Sequence, residues 1–332
     1  MINEDRIKVP AEFSLGTTIA YSDKDKKRPL VLLIAGTGSL DRDGNGGGIK
    51  LNLYKDLSDY FVKEGCVCVR YDKRGTHESK GRGAIASMSL TTLVDDAKAI
   101  IDYCKELPFV DKDRVIVCGH SEGAMIGTLL TEKTDLDGLI LLGGAGTSLK
   151  DAQYYQNDRI ISEAENGKGF TNWLLRKMVN REKVNAQVEA VYDKANKTNK
   201  NMFFFRGSFL PTRYMQEHGA LTGADFIDKI KAFKGKVLAI TGTGDIQADY
   251  QALEGLKGIE NVTVCAPKGI NHILREVDDN NSMLTYMKQY KRLSKQPLSA
   301  DTMGVIGAWL EENFSASKEM WRRLSTSKII CL

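Results

Sequence analysis

The stretch Val115-Ile116-Val117-Cys118-Gly119-His120-Ser121-Glu122-Gly123-Ala124-Met125-Ile126-Gly127 constrains the fold more than any other part of the chain. Four apolar, mostly β-branched residues in a row predict a strand buried on both faces, as the central strands of parallel sheets are. From Glu122 onward the pattern reads as a helix, and Ser121 stands at the turn between the two. A G-x-S-x-G turn forces its serine into a strained backbone conformation that lifts Oγ clear of the sheet. Glycine on either side lets strand and helix approach without Cβ clashes. A glycine-rich turn carrying an inert surface serine has the same local sequence, so the reading depends on partners elsewhere in the chain.

The rest of the sequence supplies the sheet. Two short strands are expected within residues 6–22, then a buried strand at Pro29-Leu30-Val31-Leu32-Leu33-Ile34 that ends in Ala35-Gly36-Thr37-Gly38. A helix over residues 53–63, the strand Cys66-Val67-Cys68-Val69-Arg70-Tyr71 and a helix over 90–107 precede the Ser121 turn, and Leu139-Ile140-Leu141-Leu142 follows it. Strands alternating with helices predict a parallel, doubly wound α/β sheet. Between Lys150 and Lys231 the character changes to polar helical patterns, such as residues 173–195, with aromatic clusters and no obvious strand. We read three parts: residues 1–149 as the first part of the α/β core, 150–231 as an inserted helical cap, and 232–332 as the second part of the core. The sheet resumes at Val237 and again at Val262, and an amphipathic helix over residues 302–314, with Ser299 or Asp301 as its cap, closes the fold.

Composition excludes several classes of function. Across 332 residues, 47 basic side chains against 43 acidic ones leave a net charge of +4 spread along the chain, unlike the concentrated basic face that nucleic-acid binding requires. The six cysteines show no C-x-x-C pair or metal-ligand spacing and read as reduced thiols. Neither a signal region nor an apolar run of the ~20 residues needed to span a bilayer occurs, so the expected location is the cytoplasm.

A serine hydroxyl needs a histidine to take its proton and a carboxylate to fix that histidine's tautomer. Of four histidines, His120 lies inside the turn, His77 in the loop after an earlier strand and His218 in the inserted lobe. His272, in Gly269-Ile270-Asn271-His272 beyond the strand ending near Cys265, is placed to reach Ser121 from the carboxyl edge of the sheet. Serine hydrolases built on such a turn use the chain order serine, acid, histidine. Asp245, after the strand ending at Thr241, fits best, with Asp249 as the runner-up; either residue also suits a turn or helix cap. The oxyanion donors are expected to be the backbone N–H groups of Glu122, at the helix N-terminus, and of Thr37, where its loop leaves the strand beside the nucleophile turn.

Taken together, Ala35-Gly36-Thr37-Gly38 with Asp41-Arg42-Asp43-Gly44, Tyr71-Asp72-Lys73-Arg74-Gly75 with Ser79, Gly119-His120-Ser121-Glu122-Gly123, Gly242-Thr243-Gly244-Asp245 and Asn271-His272 resemble the α/β-hydrolase fold superfamily. Within it the chain is similar to bacterial serine hydrolases related to cinnamoyl (feruloyl) esterases and serine aminopeptidases. The resemblance implies an eight-stranded, mostly parallel sheet and hydrolysis through an acyl-enzyme. Ala35 stands where many relatives carry histidine, which alters a side chain near the oxyanion site but not its donor. No cofactor or metal is expected: Gly36-x-Gly38 lacks the third glycine of a dinucleotide fingerprint, and the calcium-loop-like start at Asp41-x-Asp43-x-Asn45-Gly46 has Asn52 at its twelfth position instead of glutamate. The tail from Trp321 reads as a docked or frayed terminus. The expected partner is a small-molecule ester, and self-association is left open. Aminopeptidase and thioesterase activity with the same triad, and a hydrolase-fold binding protein without turnover, are the alternatives. Tyr154, Tyr155, Phe203, Phe204, Phe205 and Tyr214 are expected to wall an apolar pocket, which favours esters. Glu163 and Glu165 are the carboxylates available to an aminopeptidase.

Overall fold

A computed structural model describes residues 1–167, 177, 180–277 and 281–314. Among the described residues, eight strands form one sheet: β1 (Asn3–Val9), β2 (Leu15–Tyr21), β3 (Arg28–Ile34), β4 (Val67–Tyr71), β5 (Val110–His120), β6 (Gly138–Leu142), then, after the residues between, β9 (Lys236–Ile240) and β10 (Val262–Cys265). Their order is β1-β2-β4-β3-β5-β6-β9-β10. β2 pairs antiparallel with both β1 and β4, and every pairing from β4 to β10 is parallel. The parallel sheet expected from the strand and helix pattern, and the eight strands that the resemblance implies, are therefore present. β5 begins earlier than its apolar run, because Arg28 and Pro29 pair with Val110 and Asp111 before the register jumps to Leu30 opposite Val115. The irregularity takes up the polar residues Lys112, Asp113 and Arg114, which a period-two reading assigns to a loop.

Strand periodicity divides the core between the two faces of the sheet. Leu30, Leu32, Val67, Val69, Val115, Val117, Leu139 and Leu141 pack with α2 (Leu90–Lys105) and α3 (Glu122–Leu130) on one side. Val31, Leu33, Cys68, Ile116, Cys118, Ile140 and Leu238 pack with α1 (Leu53–Lys63) and the closing helix Ala300–Phe314 on the other. Ser299 rather than Asp301 caps that last helix, its hydroxyl accepting the Thr302 N–H.

Between β6 and β9 the chain forms α4 (Leu149–Asn166), α5 (Arg181–Asn196), α6 (Thr212–Gly219) and α7 (Gly223–Ala232), with a small core of Val188, Val191, Tyr192, Phe203 and Met215. Where the sequence shows no obvious strand, the structure has an antiparallel hairpin beside these helices, β7 (Met202–Phe205) and β8 (Ser208–Pro211). Its two-residue turn has positive φ at both positions, 47° at Arg206 and 87° at Gly207. Asparagine or aspartate before glycine is the usual signal for such a turn, and arginine there conceals it. Of the helix expected over 173–195, the residues before Arg181 fall largely outside the described residues, as does the tail from Trp321. No helix among the described residues is long and apolar enough to cross a membrane.

Register sets where the chemistry can be. β3, β5, β6 and β9 are paired so that Ile34 lies beside Gly119, His120 beside Leu142, and Leu142 beside Ile240. The loops carrying Thr37, Ser121, Gly143 and Asp245 therefore leave the sheet at the same carboxyl edge, the usual ligand-binding edge of an open α/β sheet.

Candidate active site

Ser121 has φ 56° and ψ −122°, a conformation that side chains other than glycine rarely adopt and that stores about 1–3 kcal/mol. Its N–H donates to Leu142 O on the neighbouring strand at 2.8 Å, and its own carbonyl accepts from Ala124 N–H at 2.9 Å. Tight packing explains the flanking glycines. A Cβ on Gly119 would lie 2.1 Å from Gly123 O, and one on Gly123 would lie 2.0 Å from Ile34 O. α3 is thus pressed against β3 and β5, leaving Ser121 at the point where its N-terminus meets the sheet edge.

His272 is carried on the loop after β10. Asn271 builds that loop: its side-chain oxygen accepts the N–H groups of Ile273 and Arg275, and its own N–H donates to Arg275 O. Arg275 is fully buried and donates to Gln296 O, Ile273 O, Leu51 O and Asp56, so it pins the loop from several sides. The His272 Nδ1 faces Asp245 Oδ2 at 2.8 Å. Asp245 Oδ1 accepts from Gln247 N–H at 2.8 Å and Ala248 N–H at 2.9 Å, so the buried carboxylate has one oxygen on backbone donors and one on the imidazole. With Nδ1–H donating to Asp245, Nε2 keeps its lone pair and can accept a proton from a hydroxyl. Asp249, the runner-up, instead accepts the Gln251 N–H at the start of the 3-10 helix Tyr250–Leu256.

Two residues flanking Ser121 in sequence have partners that no local pattern signals. His120 is buried; its Nε2–H donates to the backbone carbonyl of His272 at 2.8 Å, and the Tyr54 hydroxyl donates to its Nδ1 at 3.1 Å. Burial, with His272 close by, pushes the His120 imidazole down to about 3, so it stays neutral. Glu122 is also buried. Its Oε2 accepts from Lys73 Nζ at 2.7 Å, and its Oε1 accepts from Tyr214 OH at 2.5 Å and His218 Nε2 at 3.2 Å. Burial opposes ionisation of this carboxyl, but the Lys73 charge and the hydrogen bonds outweigh it and hold Glu122 well below the usual carboxylate range. His218 therefore sits against Glu122, and His77 is exposed in the turn His77–Ser79.

Thr37, Ser121, Glu122 and His272 open on one cavity of about 370 Å³. Its apolar wall includes Leu40, Ile49, Leu51, Met125, Ile273 and Met287, its aromatic residues are Tyr54, Tyr286 and Tyr290, and Gln153, Gln156 and Gln247 add amides. None of the six aromatic residues expected to wall the pocket does so. Tyr155 donates to Asp245 O, Tyr214 to Glu122, Phe203 joins the small core under α5, and Phe204 is exposed. Aromatic content in the lobe does not say which way its side chains face, and the segment 281–293 that supplies Tyr286 and Tyr290 carries no strong motif. The Asp41 carboxylate is spent on the N–H groups of Asp43 and Asn45 and the Asn45 amide, which shape its own loop.

A family model described as serine aminopeptidase, S33, matches residues 45–210, half of the chain; the match contains the Ser121 turn and ends before Asp245 and His272. Among curated proteins, Esterase EstD of Thermotoga maritima is 24% identical over 273 residues, which is 79% of this chain. The chain spans 58% of that relative's length. Among solved structures, Est1E of Butyrivibrio proteoclasticus with ferulic acid bound has a TM-score of 0.53 at 18% identity, over 88% of this chain and 98% of that one. Proline iminopeptidase of Mycobacterium smegmatis has a TM-score of 0.54 at 12% identity, over 94% and 98%. These neighbours share the α/β-hydrolase fold with this chain. The family model fixes the place within that fold: the chain belongs to the serine aminopeptidase S33 family.

Proposed function

We propose that the chain is a serine hydrolase that cleaves carboxylic esters through an acyl-enzyme on Ser121. The observation that carries the reading is the His272–Asp245 hydrogen bond at the edge of the Ser121 cavity. In this mechanism His272 Nε2 takes the Ser121 proton as Oγ attacks the ester carbonyl, and Asp245 holds the tautomer and stabilises the imidazolium. The N–H groups of Thr37 and Glu122 hold the oxyanion. His272 then protonates the leaving alcohol, and water, deprotonated by the same imidazole, releases the acid. Residues 150–231 act as a cap over this site, between core parts 1–149 and 232–332. The free buried thiols of Cys66, Cys68, Cys104 and Cys118 fit a reducing compartment such as the cytoplasm.

An aminopeptidase requires a carboxylate to pair the substrate ammonium, since burying that charge unpaired is prohibitive. Among the described residues the only acidic one lining the cavity is Glu122, whose oxygens are taken by Lys73, Tyr214 and His218. Glu163 accepts from the Ser282 hydroxyl and from the N–H groups of Met283 and Leu284, so it shapes the 282–284 turn. We therefore expect kcat/KM for p-nitrophenyl butyrate to exceed that for leucine p-nitroanilide by at least about tenfold, a difference of about 1.4 kcal/mol. Faster cleavage of the anilide would overturn the ester preference. Failure of a fluorophosphonate probe to label Ser121 would overturn the nucleophile.

A further inference from the structure

Both amide groups of Gly36 are gripped. Its N–H donates to the Tyr54 hydroxyl at 2.8 Å, and its carbonyl accepts from Lys73 Nζ at 2.6 Å. Each grip continues inward. The Tyr54 hydroxyl donates to His120 Nδ1, whose Nε2–H donates to His272 O, while Lys73 also donates to Glu122 Oε2. Room for adjustment is small, because a Cβ on Gly36 would lie 3.0 Å from Ser121 Cβ.

The Gly36 carbonyl and the Thr37 N–H belong to one peptide unit. A trans peptide is planar, so its C=O and N–H point in opposite directions, and fixing one fixes the other. An ammonium that draws the carbonyl to one side therefore aims the Thr37 N–H to the other. It also polarises the amide and makes that N–H a stronger donor.

Lys73 and Glu122 have side chains only 7% and 1% exposed. A buried ion pair is seldom more stable than well-packed apolar residues of similar volume, so stability alone gives little reason for this one. A charge needed at the Gly36 carbonyl gives one, with Glu122 as its counter-ion. We propose that Lys73 and Tyr54 are positioning residues that clamp Gly36 and so aim the Thr37 N–H at the oxyanion. The inference rests on the ester-hydrolase reading above and adds residues that act through Gly36 and the peptide it shares with Thr37.

The test uses Lys73→Met/Glu122→Gln, which removes the ammonium without leaving an unpaired buried charge. A second variant, Tyr54→Phe, leaves the ion pair intact and so covers the case in which the first does not fold. The control is Arg74→Met/Asp96→Asn, which neutralises a neighbouring buried pair bonded at 2.7 and 2.6 Å that does not bond Gly36. Each variant is checked for folding by circular dichroism, then assayed for kcat and KM on p-nitrophenyl butyrate and for Ki of an aryl trifluoromethyl ketone, which forms a tetrahedral adduct. Deleting an oxyanion donor outright lowers turnover about 10²–10³-fold, so misaiming one should lower kcat about 30-fold in the double variant and about fivefold in Tyr54→Phe. KM should stay within about threefold, and the ketone Ki should rise in step with the loss in kcat. The control should keep the wild-type Ki. A folded double variant or Tyr54→Phe with kcat and Ki unchanged overturns the proposal, as does an equal loss in the control. A wild-type protein that neither hydrolyses the ester nor reacts with a fluorophosphonate overturns the underlying reading, and this inference with it.

Discussion

Acid should weaken this protein in part through His120, and the size of that effect follows from its surroundings. Protonating His120 places a charge in a dry site beside His272, and gives Nδ1 a hydrogen where the Tyr54 hydroxyl already donates. The Tyr54 oxygen is itself occupied by the Gly36 N–H. The imidazole is accordingly moved from 6.5 to about 3 in the folded chain. Because the folded value is the lower one, the unfolded chain takes up the proton first. The stability that the neutral imidazole contributes is fully present above about pH 6.5 and is lost as the pH falls from there toward about 3. Integrating the linkage from about pH 7.5 to about pH 4 gives a loss of about 3 kcal/mol. His120→Gln retains an N–H able to reach the His272 carbonyl and cannot titrate. Urea unfolding of both proteins across this range isolates the effect, because every other titrating group, Glu122 included, is common to the two. The wild-type advantage over His120→Gln should shrink by about 3 kcal/mol between the two pH values. A difference constant to within about 0.5 kcal/mol, or one that grows toward low pH, would refute the reasoning.

The proposed catalytic groups give sharper outcomes. Ser121→Ala and His272→Ala should each lower kcat by several orders of magnitude, and the double variant little further, because the pair acts as one unit; additive losses would show that His272 serves something other than Ser121. Asp245→Asn, which leaves the tautomer uncontrolled, should lower kcat about 10⁴-fold. Asp249→Asn keeps an oxygen for the Gln251 N–H and should stay within about threefold of wild type, and the reverse ranking would move the acid to Asp249.

Much of the fold was legible because its strands are short apolar runs ended by glycine or polar loops, and the run from Val115 to Cys118 fixes the centre of a parallel sheet. Asp245 and His272 stand out in the sequence because each lies a few residues beyond a strand, at the edge where strands of a parallel sheet deliver their loops. What the sequence concealed is contact across long separations. Lys73 meets Glu122 over 49 residues, Tyr54 meets His120 over 66, and Glu163 meets the 282–284 turn over about 120. None of these pairs leaves a periodic or compositional trace. The pocket wall is concealed for a related reason: aromatic density in residues 154–214 marks apolar content but not direction, and Phe203 faces a separate small core while Tyr286 and Tyr290 reach the cavity from another segment.

The two residues flanking Ser121 suggest why the turn carries more than its glycines. A strained serine is held only if its neighbours are over-determined. His120 is fixed by a carbonyl of the His272 loop and Glu122 by three donors from two separate parts of the chain, so the turn is tied both to the loop that carries His272 and to α6. Tyr54 and Lys73 extend these ties to Gly36, so the segments that bear Thr37, Ser121 and His272 are linked by buried hydrogen bonds to a common frame. Displacing any one of them leaves a buried polar group without its partner, at about 1–3 kcal/mol each and more where the group is charged. That penalty is what the proposed site requires: Thr37, Ser121 and His272 come from separate loops, and no single secondary-structure element can keep them in register.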